Sequence, residues 1–176
     1  MDRCGIFMND FERTENSDYI HGVIGRALII ATRFEISCRS YEEIPKVKAY
    51  HMASLLDNDP KKFENLIVQM MKKFQSLNTS ITNIKGLNGD LTDILHDARE
   101  SRNYIAHSLT IGLDRCFDLT MPNNIFIDEL KEHINKIIDA DILISLLIVG
   151  SNKDDIPTLD SIAKYKASTM DWIFDE

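Results

Sequence analysis

Within six residues, Arg102-Asn103-Tyr104-Ile105-Ala106-His107, the chain sets a permanent cation, an amide and the one side-chain type that titrates near neutrality. A guanidinium can clamp an anion and an imidazole can move a proton, so the stretch has the components of acid–base chemistry on a charged substrate. No competing constellation appears elsewhere. Gly86 and Gly89 lack the Lys and Ser/Thr of a phosphate-binding loop, and no Gly-x-Ser-x-Gly elbow is present. His96 and His107 are eleven apart, with no other His, Cys or paired carboxylate at ligand spacing, so neither a metal site nor a cofactor is expected. His21, His51 and His133 are isolated, and Cys4, Cys38 and Cys116 are too few and too scattered for a disulfide framework.

The motif lies late in an amphipathic helix, so spacing converts to direction at about 100° per residue. Asn103 and His107, four apart, share one face with His96 and Glu100. Arg102 instead projects among Leu95, Ala98, Ile105 and Leu109, where an apolar residue belongs, and therefore needs a partner: a phosphate, or a carboxylate such as Glu35 on the first helix. On an ideal helix Arg102 and His107 diverge by about 140°, so joint action requires a distortion, a long reach or a second chain.

The elements that must position these residues read as helices. Ile20, Val23, Ile24, Ala27, Leu28, Ala31, Phe34 and Cys38 recur at three and four, predicting a first helix from Ser17 or Asp18 to about Ser40, after an arm over residues 1–16. Pro45 is expected to interrupt, with a short second helix over Lys46–Leu56. Asp59 as cap and Pro60 at the first helical position open a third, whose stripe runs Phe63, Leu66, Ile67, Met70, Met71, Phe74, Leu77. Asn78–Gly89 reads as a loop, after which Asp90 caps the motif helix, with Leu91, Ile94, Leu95, Ala98, Ile105 and Leu109 inward and Gly112 at its end. Leu113–Asn124, with a turn at Met121–Asn124, reads as a loop, a small two-stranded excursion being the alternative. A further helix spans Ile127–Val149 and stops at Gly150. The last opens at Pro157 and Thr158, turns Leu159, Ile162, Ala163, Met170 and Ile173 to one side, and carries Trp172 and Phe174, which need covering.

The expected fold is thus all-α, a single-domain antiparallel bundle of four to six helices: residues 17–176, ending in an acidic helix over about 157–174. Its 176 residues, 44% of them hydrophobic, can bury one sizeable core. No apolar run approaches the roughly 20 residues of a spanning helix, and the N-terminus has neither signal-peptide nor transit-peptide character, which together predict a cytoplasmic protein without membrane contact. The net charge of −8 argues against nucleic acid only on average. Residues 1–50 carry eight acids and seven bases, residues 51–107 seven of each, and residues 108–176 thirteen and six, so the part bearing the motif is neutral. Lysine pairs at Lys46/Lys48, Lys61/Lys62 and Lys72/Lys73 could line a phosphate path or simply face solvent.

Arg102-Asn103-Tyr104-Ile105-Ala106-His107-Ser108 resembles the signature of the HEPN superfamily: Arg, a polar residue often Asn, three more residues often ending in Ala, then His. The helical architecture over roughly residues 17–150 agrees with it. The resemblance implies a metal-independent endoribonuclease of the toxin–antitoxin or phage-defence type, acting on single-stranded RNA as a homodimer with facing motifs, under an antitoxin or other regulatory protein. It carries Arg102, Asn103 and His107 over as the site, and their chemistry suits His107 as general acid/base, Arg102 as phosphate clamp and Asn103 as the group that orients His107 or the phosphate. RNA supplies its own nucleophile in the 2′-hydroxyl. One His per chain cannot make both proton transfers at once, which calls for a second His107 across a dimer, with His96 as fallback. The subgroup regulated by a nucleotidyltransferase antitoxin carries Tyr two residues after the His, where this chain has Leu109, so that regulation is not expected. The alternative is a catalytically silent HEPN-like adaptor, in which Arg102 is a structural ion pair and the acidic last helix with Trp172 docks a protein partner.

Overall fold

A computed structural model of the chain describes residues 14–57, 59–72, 75–109, 113–114, 118–119 and 123–175. Among these, six α-helices pack into one all-α bundle: α1 (Glu15–Asp57), α2 (Pro60–Lys72), α3 (Leu77–Asn83), α4 (Gly89–Asn103), α5 (Asn123–Asn152) and α6 (Leu159–Phe174). A π-helical turn over Tyr104–Ser108 extends α4, and Leu113–Asp114 (β1) pairs antiparallel with Asp118–Leu119 (β2), the small excursion named above as the alternative to a loop. Most of the arm over residues 1–16 lies outside the described residues, as do Phe74 and Gly112; Glu15 and Asn16 already belong to α1.

Pro45 does not divide the first helix. It has no N–H for the carbonyl of Tyr41, a loss worth about 3 kcal/mol in a helix interior, yet α1 continues through it for another dozen residues. Contacts on both sides offset the cost. Lys46 Nζ reaches back across the proline to Glu42 Oε1 at 2.5 Å, Lys48 Nζ donates to the carbonyl of Ser151 at the end of α5, and the His51 ring meets the Phe63 ring of α2 edge-on at 5.4 Å between centroids. Tertiary packing thus overrides a local breaker.

Several boundaries move for similar reasons. Leu77 opens α3 rather than closing the helix before it, because Ser76 accepts the N–H of Thr79 and starts a new helix within the expected Asn78–Gly89 loop. Asn88, not Asp90, caps α4, its Oδ1 accepting Leu91 N–H at 2.9 Å. Asp59 does cap α2, accepting from Lys62 N–H at 3.2 Å. At α5 the helix begins at Asn123, inside the expected turn, and runs through Gly150. It closes three residues later, where Lys153 adopts φ 62° and the N–H groups of Lys153 and Asp154 bond the carbonyls of Gly150 and Val149. That is a Schellman ending with a non-glycine residue in the left-handed position, which costs an L-residue about 1 kcal/mol. Lys153→Gly is therefore expected to stabilise the fold by about 0.5–1 kcal/mol in urea unfolding; a loss of stability would show that the Lys153 side chain supplies more than the strain costs.

The core gathers Val23, Ala27, Phe34 and Cys38 of α1, Leu95, Ala98 and Ile105 along the α4 segment, Phe126, Leu130, Ile134, Ile137 and Ile144 of α5, and Ile173 of α6, all 1% exposed or less. Each large aliphatic or aromatic side chain buried there contributes about 1.5–3 kcal/mol. Ile94 and Leu159, expected inward, are exposed, as is the whole apolar row Met52, Leu55 and Leu56 on the overhanging end of α1; Trp172 is only half covered. Directions follow from the contacts between helices. Ser37 meets Asp141 and Lys48 meets Ser151, so α1 and α5 run side by side in the same sense. Ser101 meets His133 and Tyr104 meets Glu129, while Tyr165 meets Asp141 and Phe174 meets Lys131, so α4 and α6 run antiparallel to α5. Among the described residues no helix is long and apolar enough to cross a membrane.

One polar cluster crosses this core. Asp141, fully buried, accepts Tyr165 O–H at 2.8 Å and Ser37 O–H at 3.3 Å, and its Oδ2 lies 3.2 Å from Arg33 Nε, while the Arg33 guanidinium sits 5.1 Å from the centre of the Tyr165 ring. Burial pushes the Tyr165 hydroxyl up from its ordinary pKa, with the Asp141 charge adding to it, so it stays a donor. This cluster ties α1, α5 and α6 together. Arg26 completes the junction by donating to the carbonyls of Ile173 and Asp175 at the C-terminus of α6, where a cation is favoured.

Candidate functional site

Arg102 is the last-turn residue of α4 and leans toward α1. Its Nη2 lies 2.7 Å from Glu35 Oε2 and its Nη1 donates to Asn103 Oδ1 at 3.2 Å. The partner anticipated for Arg102 is therefore present, although the pair sits at the margin of the core: the side chains of Arg102 and Glu35 are 27% and 28% exposed. A half-open guanidinium keeps donor directions toward solvent that a buried one would lose. Asn103, partly buried, has its side-chain carbonyl engaged by Arg102.

Immediately after Asn103 the helix widens. Tyr104 N–H is shared between the carbonyls of Glu100 and Ser101, and Leu109 N–H bonds the carbonyl of Tyr104, five residues back instead of four. Ile105 and Leu109 stay buried on either side of the wide turn, so the core register is kept while the outer face rotates. A π turn takes more residues per revolution than an α turn, and positions five apart move toward one face. Arg102 and His107 are five apart. The divergence of about 140° expected on an ideal helix is thus reduced by the distortion that joint action required. His107 stands exposed, and among the described residues it makes no hydrogen bond.

His96 is not brought to this place. The helix is continuous between the two histidines, so they stand about 16 Å apart along the axis, too far to share a substrate proton within one chain. Of the lysine pairs, Lys46 is bound to Glu42, Lys48 to the Ser151 carbonyl and Lys62 to Asp57, and Lys73 lies outside the described residues. Among the described residues no three His, Cys, Asp or Glu side chains are grouped to hold a metal ion. A cavity of about 470 Å³ beside Pro45 and one of about 800 Å³ between the start of α1 and the start of α5 are lined by other residues.

On the flank of the motif the structure adds residues that sequence reasoning did not single out. The Tyr104 ring stacks on His133 with centroids 4.2 Å apart, its hydroxyl donates to Glu129 Oε1 at 2.6 Å, and His133 Nδ1 lies 3.1 Å from the buried Ser101 Oγ. The Glu129 hydrogen bond, with burial, pushes the Tyr104 hydroxyl up to about 12, which holds it protonated as a donor. Burial, with Lys136 adding, holds His133 below the ordinary histidine range, so its ring is neutral at pH 7. Glu129 and His133 are four apart on one helix and so share a face. That spacing was readable, but which element faced it was not.

Comparison of the chain with protein-family models, with curated proteins and with solved structures finds no match.

Proposed function

We propose that this chain is an endoribonuclease of the HEPN kind, a toxin or antiviral-defence effector that cuts single-stranded cytoplasmic RNA without a metal. The observation that carries the reading is the π turn between an exposed His107 and Arg102, whose guanidinium is held by Glu35 and in turn donates to Asn103, because a wider turn narrows the angle between positions five apart. His107 as base takes the proton of the 2′-hydroxyl, whose oxygen attacks the adjacent phosphorus. The bond from phosphorus to the 5′-oxygen breaks, and the leaving oxygen takes a proton from a second imidazole. Arg102 holds the phosphate oxygens while negative charge builds on them. The second imidazole is His107 of another copy, since His96 stands too far away, and the active species is a homodimer with facing motifs.

The Arg102 pair also supports a second reading. At 2.7 Å from Glu35 the guanidinium has a partner without any ligand, as a silent adaptor would need, and the half-exposed Trp172 on α6, a helix whose two aspartates and two lysines balance, offers that adaptor a docking point. Incubating mixed RNA with the protein in EDTA, wild type beside His107→Ala, separates the two. Fragments ending in a 2′,3′-cyclic phosphate and a 5′-hydroxyl, made by wild type only, support the nuclease. Intact RNA with both proteins, or cutting that ignores the substitution, assigns the motif to the adaptor.

A further inference from the structure

Widened helical turns are rare and persist where their surroundings hold them. The turn that presents His107 begins at Tyr104, and Tyr104 is its one residue bound to α5 through both ring and hydroxyl, against His133 and Glu129. The carbonyl of the same residue accepts the closing bond from Leu109 N–H. His133 is fixed in turn by Ser101 Oγ, one helical step before Arg102. From these contacts we propose that Tyr104 is the positioning residue of the site: pinned to α5 by His133 and Glu129, it holds the π turn and thereby sets the direction in which His107 points. The consequence for cleavage rests on the nuclease reading above, whereas the consequence for the turn does not.

The physical argument is one of alternatives. Without an anchor at its first residue the wide turn opens, so that Leu109 N–H loses the Tyr104 carbonyl and His107 is no longer held in one direction. A stacked aromatic pair and a hydrogen bond to a carboxylate together restrict both the tilt and the rotation of Tyr104. Tyr104 touches no reacting atom in this scheme. It acts through His107.

The test uses the full chain with Tyr104→Leu, Tyr104→Phe and His133→Gln, read by amide hydrogen exchange and by RNA cleavage. In Tyr104→Leu, exchange at the Leu109 amide is expected to rise about tenfold or more relative to the Leu95 amide of the same helix. On the nuclease reading, kcat falls about 10- to 100-fold with KM within about twofold, the pattern of a misplaced group rather than lost binding. Tyr104→Phe keeps the stack and loses the Glu129 bond, so it falls between wild type and Tyr104→Leu on both readouts. Should Tyr104→Leu fail to fold, Tyr104→Phe and His133→Gln decide the matter, each with Leu109 exchange raised about threefold or more over Leu95. Leu109 exchange that tracks Leu95 in the folded variants overturns the proposal. If wild type cuts no RNA, the nuclease reading fails and the exchange measurement still decides the anchor.

Discussion

Replacing His107 with alanine is expected to lower RNA cleavage by about 10²- to 10⁴-fold, the range by which a positioned acid–base group accelerates proton transfer. The residue is exposed and faces away from the core, so the variant should keep the helical signal and unfolding midpoint of wild type, and a lost rate would belong to the chemistry. In the proposed composite site, which takes one His107 from each chain, cleavage needs an intact imidazole on both protomers. Mixing His107→Ala chains with wild type should then depress activity per wild-type chain, provided subunits exchange. Full activity per wild-type chain in verified mixed dimers would leave a one-chain mechanism, and products with a plain 3′-hydroxyl and a 5′-phosphate would point to an activated water instead of the 2′-oxygen.

Asp141→Ala is expected to cause the largest loss of stability of any single substitution considered for this chain, about 2–4 kcal/mol. Three donors converge on that carboxylate from two other helices, and the substitution strands the Tyr165 and Ser37 hydroxyls while opening a hole between α1, α5 and α6. Arg33 contributes less to the loss than the geometry suggests, since its side chain is 52% exposed and can turn its charge to water. Asp141→Asn keeps the volume and one acceptor, so its cost should be about half as large. Paired urea titrations would measure both. A change below about 0.5 kcal/mol in Asp141→Ala would mean that the cluster is as stable empty as filled, an outcome known for ion pairs replaced as a unit.

The sequence by itself determined the architecture and the motif. The three-and-four recurrence from Ile20 to Cys38 and the long apolar series of α5 leave one way to bury their stripes, on other helices. The same counting placed Arg102 on the core side of its helix and raised Glu35 as a partner, and the 2.7 Å pair matches that. Breaker residues were read too locally. Pro45 and Gly150 are costly inside helices by amounts that a few side-chain contacts can offset, and those contacts, Lys46 on Glu42 and Lys48 on Ser151, span more than 100 residues in one case.

What only the tertiary structure decided is the widened turn that carries His107. An ideal wheel turned His107 away from Arg102, because counting residues assumes equal steps, and the step changes between Asn103 and Leu109. On the proposal above the change depends on Tyr104 finding His133 and Glu129 on another helix, 29 and 25 positions away, a pairing that no local pattern encodes. Spacing can therefore name the candidate groups, while the turn between them forms where α4 meets α5, because equal helical steps hold only until tertiary contacts change them.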